Sequence, residues 1–205
     1  MISADLVKQL RQKTGAGMMD CKRALQESGG DLEKAVDSLR KAGIAKAEKK
    51  AGRQASEGVI YAYIHPGSKL GVMLEVNCET DFVAKTDDFQ QFVKDVAMHI
   101  AAVNPEVIRR DQMPTDLVAR EKDIQTELAR QSGKPEHILE KIVSGRLEKF
   151  YSDSVLLEQA FVKDPQKTIE DYLKETIAKL GENIILARFV RFQLGQDDSI
   201  DSGDS

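Results

Sequence analysis

The sequence predicts an α+β protein. A three-helix head precedes a body in which a three-stranded antiparallel sheet is covered by helices. Three observations carry this. Two β-rich runs, residues 58–65 and 70–78, flank a Pro66-Gly67-Ser68-Lys69 turn, and a third run, 184–194, is rich in Ile, Val and Phe. Between the second and third runs, apolar residues recur with helical period in four separate stretches. The first 44 residues hold three short helical patterns broken by Gly-rich turns, with no strand signal.

In the head, Ser3 is placed to cap a helix with Leu6, Val7 and Leu10 on one face, and Thr14-Gly15-Ala16-Gly17 breaks it. A second helix runs from about Met18 to Glu27 and stops at Ser28-Gly29-Gly30. Asp31 caps a third, with Leu32, Ala35, Val36 and Leu39 inward and Gly43 after it. At about 100° per residue, Met18, Cys21, Ala24 and Leu25 of the second helix form an apolar stripe. Met19 falls opposite, beside Arg23 and Gln26, with Lys22 at the stripe's edge. An adaptable thioether on a charged face suits a partner contact. A single exposed methionine is also an ordinary surface feature, and spacing leaves both readings open.

Residues 45–53 are basic, helix-permissive and without a burying face, as a connector between domains would be. The organisation read from this is a head at 1–44, a connector at 45–55, a body at 56–195 and an acidic tail at 196–205 expected to be disordered. In the body, Asp87 with Gln90 forms a capping box ahead of Phe89, Phe92, Val93, Val96, Ala97 and Ile100. Further helices are expected at about 115–131, 135–150 and 167–180, the last ending at Gly181. Arg188 and Arg191 in the last strand differ by an odd spacing and so point to opposite faces. That predicts a bulge or a partner on the second face.

Composition narrows function. With 41% hydrophobic residues in regular spacing the chain is not disordered, and it holds no apolar run of roughly eighteen residues that would span a membrane. Its first eight residues lack a basic start followed by an apolar block, so no signal peptide is expected. Two cysteines make a disulfide framework improbable, which favours a reducing cytoplasm. The net charge of −4 divides unevenly: residues 1–53 carry 12 Lys+Arg against 7 Asp+Glu, or +5, and the rest −9. That is too little concentrated charge for a phosphate binder, and it fits a head docking on an acidic protein surface.

Catalytic constellations are scarce. His65, His99 and His137 lie in unrelated elements without metal-ligand spacing, and Gly15 and Gly17 are followed by no Lys-Ser/Thr of a phosphate loop. Cys78, Glu79 and Asp81 could be drawn as a thiol site, but acidic neighbours raise a thiol's pKa rather than activate it. No enzyme activity, metal or cofactor is implied. The most unusual stretch is Asn77-Cys78-Glu79-Thr80-Asp81-Phe82-Val83-Ala84-Lys85, joining the second strand to the Phe89 helix. There a carboxylate and an aromatic ring leave one turn together. Phe82 and Val83 either fold back as the first core contacts of the helix or stand out toward a partner.

Two stretches, residues 14–22 (Thr-Gly-Ala-Gly-Met-Met-Asp-Cys-Lys) and 75–85 (Glu-Val-Asn-Cys-Glu-Thr-Asp-Phe-Val-Ala-Lys), closely resemble the signature stretches of elongation factor Ts. The stretches Gln131-Ser132-Gly133-Lys134-Pro135 and Arg188-Phe189-Val190-Arg191-Phe192 are similar to its C-terminal half, so the resemblance runs in order through all but the acidic tail. It implies a guanine-nucleotide exchange factor for elongation factor Tu, the GTPase that delivers aminoacyl-tRNA. It also implies that the head is a UBA-like domain docking on that GTPase through Met18, Met19 and Lys22. Thr80, Asp81, Phe82 and Val83 match the family segment that intrudes beside the nucleotide and dislodges its magnesium ion. Longer family members carry a duplicated core and an inserted helical hairpin. This chain resembles the short form, which restores the missing copy by pairing two chains, so a homodimer binding two Tu molecules is expected, with residues 184–194 a candidate interface strand. A competing reading is a UBA-like adaptor that binds partners without touching nucleotide; a thiol-dependent enzyme is a remote third.

Overall fold

The structure, a computed structural model, describes residues 2–131 and 135–196. The tail beyond Gln196 and the Ser132-Gly133-Lys134 stretch lie outside the described residues. The head is formed by α1 (Ala4–Thr14), α2 (Met18–Glu27) and α3 (Leu32–Glu48). Ser3 and Asp31 cap the first and third helices by accepting from backbone N–H groups. Val7, Leu10, Cys21, Ala24, Leu25 and Ala35 make a core of the head's own.

The third helix does not end at Gly43. It runs on to Glu48, because α3 packs against the last helix of the body, α8 (Ile169–Leu180), and that packing covers residues the sequence pattern left bare. Gly43 is where the two come together: a Cβ there would sit 3.3 Å from that of Ala178. Ala47 is buried in the body's core, so the connector does have a burying face.

The body's sheet has the order β1 (Glu57–Ile64), β2 (Leu70–Cys78), β5 (Ile184–Gln193), both pairings antiparallel, with β2 central. The β1–β2 turn closes with the His65 N–H on the Leu70 carbonyl at 2.9 Å. Val72, Leu74, Val76 and Cys78 point to one face, as alternation requires. On them lies α5 (Asp87–Val103), through Phe89, Phe92, Val93, Val96 and Ile100, all fully buried. Thr86, one residue before the expected Asp87, is the cap of α5, its hydroxyl accepting from Phe89 N–H at 3.3 Å. Gln90 reaches instead to the Ala84 carbonyl at 2.7 Å.

Three elements had no clear sequence signal. One is the single-turn helix α4 (Asp81–Ala84); the others are the short strands β3 (Ala160–Phe161) and β4 (Asp164–Thr168), which pair with each other. The helices α6 (Thr115–Gln131) and α7 (Glu136–Ser154) run antiparallel, tied by Arg146 donating to Gln125 at 3.1 Å. A helical hairpin is therefore present beside a single core sheet. Among the described residues, helices cover only one face of the sheet. The other shows Ile60, Ile64, Met73, Val190 and Phe192 to solvent.

Candidate functional site

The turn between β2 and α5 is held by its own backbone. Thr80 caps α4, its hydroxyl accepting from Val83 N–H at 3.4 Å, and Ala84 and Thr86 N–H close on the carbonyls of Thr80 and Val83. The two candidate core residues part company here. Val83 packs against the core and Ala84 is buried, whereas Phe82 is 79% exposed. Core packing of Phe82 is thereby ruled out. The ring therefore stands in solvent on a turn whose backbone is held by its own hydrogen bonds. Beside it Asp81 pairs with Lys85 at 2.6 Å, and that ammonium holds the carboxyl below its ordinary pKa.

Cys78, just before the turn, is buried, with Sγ donating to the Thr80 carbonyl at 3.1 Å. Burial raises its pKa, and the nearby Glu182 carboxylate raises it further. This thiol is a packing and anchoring group, not a nucleophile. The acids that raise it are not Glu79 or Asp81 of its own stretch but Glu182, which lies 104 positions further on, and to a lesser degree Glu57 of β1.

The second group lies on the first turn and a half of α2. Met19 is 73% exposed, opposite the buried Cys21, Ala24 and Leu25, and Lys22 is exposed one turn on. Met18 departs from the expected stripe: it is 51% exposed, because it precedes the first full turn and lies beyond the head's core. Met18, Met19 and Lys22 therefore form one solvent-facing group, two thioethers and a cation. Asp20, between them, is tied to Lys46 of α3 at 2.8 Å, which lowers its pKa and fixes α2 against α3. The two candidate groups sit one in each part of the chain.

The sequence reading missed the residues that anchor the turn from outside. Glu182 and Asn183 follow Gly181, the left-handed cap of α8 (φ +81°), and precede β5. Glu182 accepts from the Glu79 and Thr80 N–H groups at 3.1 and 3.0 Å and from the Thr80 hydroxyl at 2.7 Å. The available signal was a Gly-Glu-Asn run at a helix end, which does not say what the acid will reach. The histidines do not converge: His65 meets the Tyr63 hydroxyl at 3.1 Å, and His99 is enclosed with Gln159 at 2.9 Å. The His137 side chain lies outside the described residues.

An exposed ring stands on an anchored turn, two exposed thioethers and a cation stand on the helical head, and among the described residues no group of three His, Cys, Asp or Glu could hold a metal ion. Among the described residues no helix is long and apolar enough to cross a membrane. A family model described as Elongation factor TS matches residues 5–196. The chain is 57% identical over 196 residues to elongation factor Ts of Thermoanaerobacter sp. (strain X514), covering 96% of each chain. Elongation factor Ts of Geobacter sulfurreducens is 58% identical over 195 residues, 95% of this chain and 90% of that one. The Syntrophobacter fumaroxidans protein of the same name is 59% identical over 196 residues, 96% and 98% respectively. The chain belongs to the elongation factor Ts family.

Proposed function

We propose that this protein is a cytoplasmic guanine-nucleotide exchange factor that binds elongation factor Tu in its GDP-bound and nucleotide-free forms and promotes GDP release without covalent chemistry. Head 1–44 and body 56–195 act as two grips on the GTPase, joined by connector 45–55. Met18, Met19 and Lys22 contact the GTPase domain, and Thr80, Asp81, Phe82 and Val83 enter beside the nucleotide. One observation carries the reading: the Phe82 ring stands in solvent on a turn anchored on both sides.

The chemistry follows from charge. A magnesium ion on the GTPase neutralises the diphosphate, and losing it leaves phosphate charge uncompensated, which loosens GDP. Phe82, seated in a pocket of the partner, supplies roughly 1.5–3 kcal/mol of burial to drive the intrusion. Asp81 brings negative charge to the region of the metal's ligands. Its present partner, Lys85, is an exposed ion pair and therefore easily exchanged. By linkage, the factor weakens GDP binding by the same ratio by which GDP weakens binding of the factor.

The working unit is a homodimer. The uncovered apolar face of the sheet, to which β5 contributes Val190 and Phe192, supports a second copy as its occupant. The adaptor reading leaves the exposed Phe82 turn without a task.

The test is stopped-flow release of a fluorescent GDP from elongation factor Tu. Substoichiometric protein is expected to accelerate release, and Phe82→Ala to lose at least about tenfold of the acceleration, equivalent to about 1.4 kcal/mol, while melting as the parent does. Spontaneous-rate release with the parent protein, or full activity with Phe82→Ala, overturns the reading.

A further inference from the structure

A ring used as a wedge must keep its direction when it meets resistance, and a single turn of helix does not supply that stiffness alone. The anchoring bonds come from the other end of the body. At the Gly181 cap the chain reverses out of α8 and delivers the Glu182 side chain and the Asn183 backbone N–H to the start of the turn. The Glu182 carboxylate takes both successive N–H groups of Glu79 and Thr80 on one oxygen and the Thr80 hydroxyl on the other. These are charge-assisted bonds, the stronger kind. The same Thr80 hydroxyl accepts from Val83 N–H, so the bond to Glu182 fixes the group that caps α4 and, through it, the residue carrying the ring.

Asn183 completes the arrangement. Its backbone N–H donates to Glu79 at 2.6 Å, and its buried amide donates to the carbonyls of Arg53 at 2.8 Å and Ala51 at 3.5 Å. Arg53 approaches Glu79 at 3.6 Å, and Lys50 donates to the Gly181 carbonyl. The exchange turn is therefore fastened to Glu182 and Asn183 and the connector to Gly181 and Asn183, so the two meet at Asn183. The partners of Glu182 are polar groups of the turn and not the apolar core, which separates its task from that of a packing residue.

We infer that Glu182 is a positioning residue for nucleotide exchange: its carboxylate holds the Thr80-to-Val83 turn in the shape that drives Phe82 into the partner, and Asn183 ties that turn to the connector from the head. The assignment rests on the exchange reading above. It places the effect on the rate of GDP release within the complex, not on formation of the complex, which the head and the rest of the body support.

The experiment titrates the full-length protein against elongation factor Tu carrying fluorescent GDP. It reads the maximal release rate and the half-saturating concentration separately, with amide hydrogen exchange on the free protein. Glu182→Gln keeps volume but loses the charge and one of the two acceptor oxygens, so the N–H groups and the Thr80 hydroxyl can no longer each have a carboxylate oxygen. It is expected to lower the maximal rate at least about tenfold, to leave half-saturation within about twofold, and to deprotect the Glu79 and Thr80 amides while those of α5 stay protected. Thr80→Val removes the shared hydroxyl bond from its other side and is expected to lower the maximal rate as well, with the double variant losing less than the product of the two single losses. An unchanged maximal rate in a folded Glu182→Gln protein overturns the assignment. So does a loss carried entirely by half-saturation, or a double variant whose losses multiply. A parent protein that leaves GDP release at its spontaneous rate overturns the exchange reading itself and this assignment with it.

Discussion

At the scale of the residue, exposure and burial do opposite work in this chain, and His99 shows the second as clearly as Phe82 shows the first. His99 lies at 0% exposure on α5. The Val162 N–H donates to its Nδ1 at 3.3 Å, which places the ring proton on Nε2, donating to Gln159 Oε1 at 2.9 Å. Gln159 in turn donates to the Asp153 carbonyl at 2.6 Å, so the ring ties α5 to the segment leading into β3. Nearby, Asp95 of α5 accepts from Lys163 and from the Tyr172 hydroxyl, and its charge together with burial raises the tyrosine's pKa strongly. Burial lowers the pKa of His99 below its ordinary 6.5, with the Gln159 bond opposing in part. Protonation would put a second N–H against the Val162 donor. The unfolded chain therefore binds the proton more readily, and the stability His99 contributes is complete above about pH 6.5 and lost as pH falls toward its folded value. Thermal unfolding between pH 7.5 and 5 should show that limb, and His99→Leu should flatten it. The same variant leaves the Gln159 Oε1 and the Val162 N–H without their His99 partner, so a loss of about 1–3 kcal/mol at pH 7.5 is expected. An equal pH slope in parent and variant would remove His99 from the account.

At the scale of the element, the sheet depends on one backbone position whose importance a residue alphabet barely marks. Gly58 in β1 has φ +148°, and a Cβ there would lie 2.2 Å from the Val76 carbonyl oxygen and 2.7 Å from the Asn77 Cα. Both obstacles are backbone of the central strand, so neither can swing away. Gly58→Ala should cost at least about 3 kcal/mol in urea unfolding; a loss below 1 kcal/mol would mean β1 shifts at little expense. A glycine at the head of a strand reads in sequence only as punctuation, and its contact partner lies 18 residues on. The same division separates what could be read from what could not. The helices and the three long strands were legible because each carries its own period. The odd spacing of Arg188 and Arg191 does place them on opposite faces, Arg188 with Glu75 and Arg191 at the Ala101 carbonyl, whereas the bulge lies ahead of both. The register passes from Glu75–Arg188 to Val76–Leu186, leaving Ala187 as the extra residue. The candidate turn was legible as a motif, yet the choice between core and surface for Phe82 was not, since composition permits both. The run of α3 through Gly43 depends on Ala178, and the anchoring of Thr80 depends on Glu182, both remote in sequence. Local pattern fixes what an element is; what holds it in place is non-local.

At the scale of the whole molecule, the question is what covers the bare side of the sheet. Register places the exposed side chains in rows across the three strands: Ile64, Gly71 and Phe192 in one, Ala62, Met73 and Val190 in the next. The third row, Ile60, Glu75 and Arg188, ends the apolar surface with an ion pair of 2.7 Å. A sheet with helices on one face and apolar rows on the other is half of a two-sheet sandwich, whose layers pack about 10 Å apart. In the proposed homodimer a second copy would supply the matching half with the same rows, and a two-fold axis would need nothing else from the partner. Sedimentation equilibrium at micromolar concentration should return about twice the 22.8 kDa of one chain. Val190→Lys would place an unpaired ammonium in the centre of the joined faces, at a penalty of several kcal/mol. It should weaken the pair at least about a hundredfold while leaving the circular dichroism of the protein unchanged, since Val190 lies on the solvent side of its own sheet. Should the pair be the working unit, the acceleration of GDP release will fall with concentration in Val190→Lys along the same curve as its mass. A parent mass of one chain refutes the pairing, and a monomeric variant with undiminished exchange shows that each chain grips its GTPase alone.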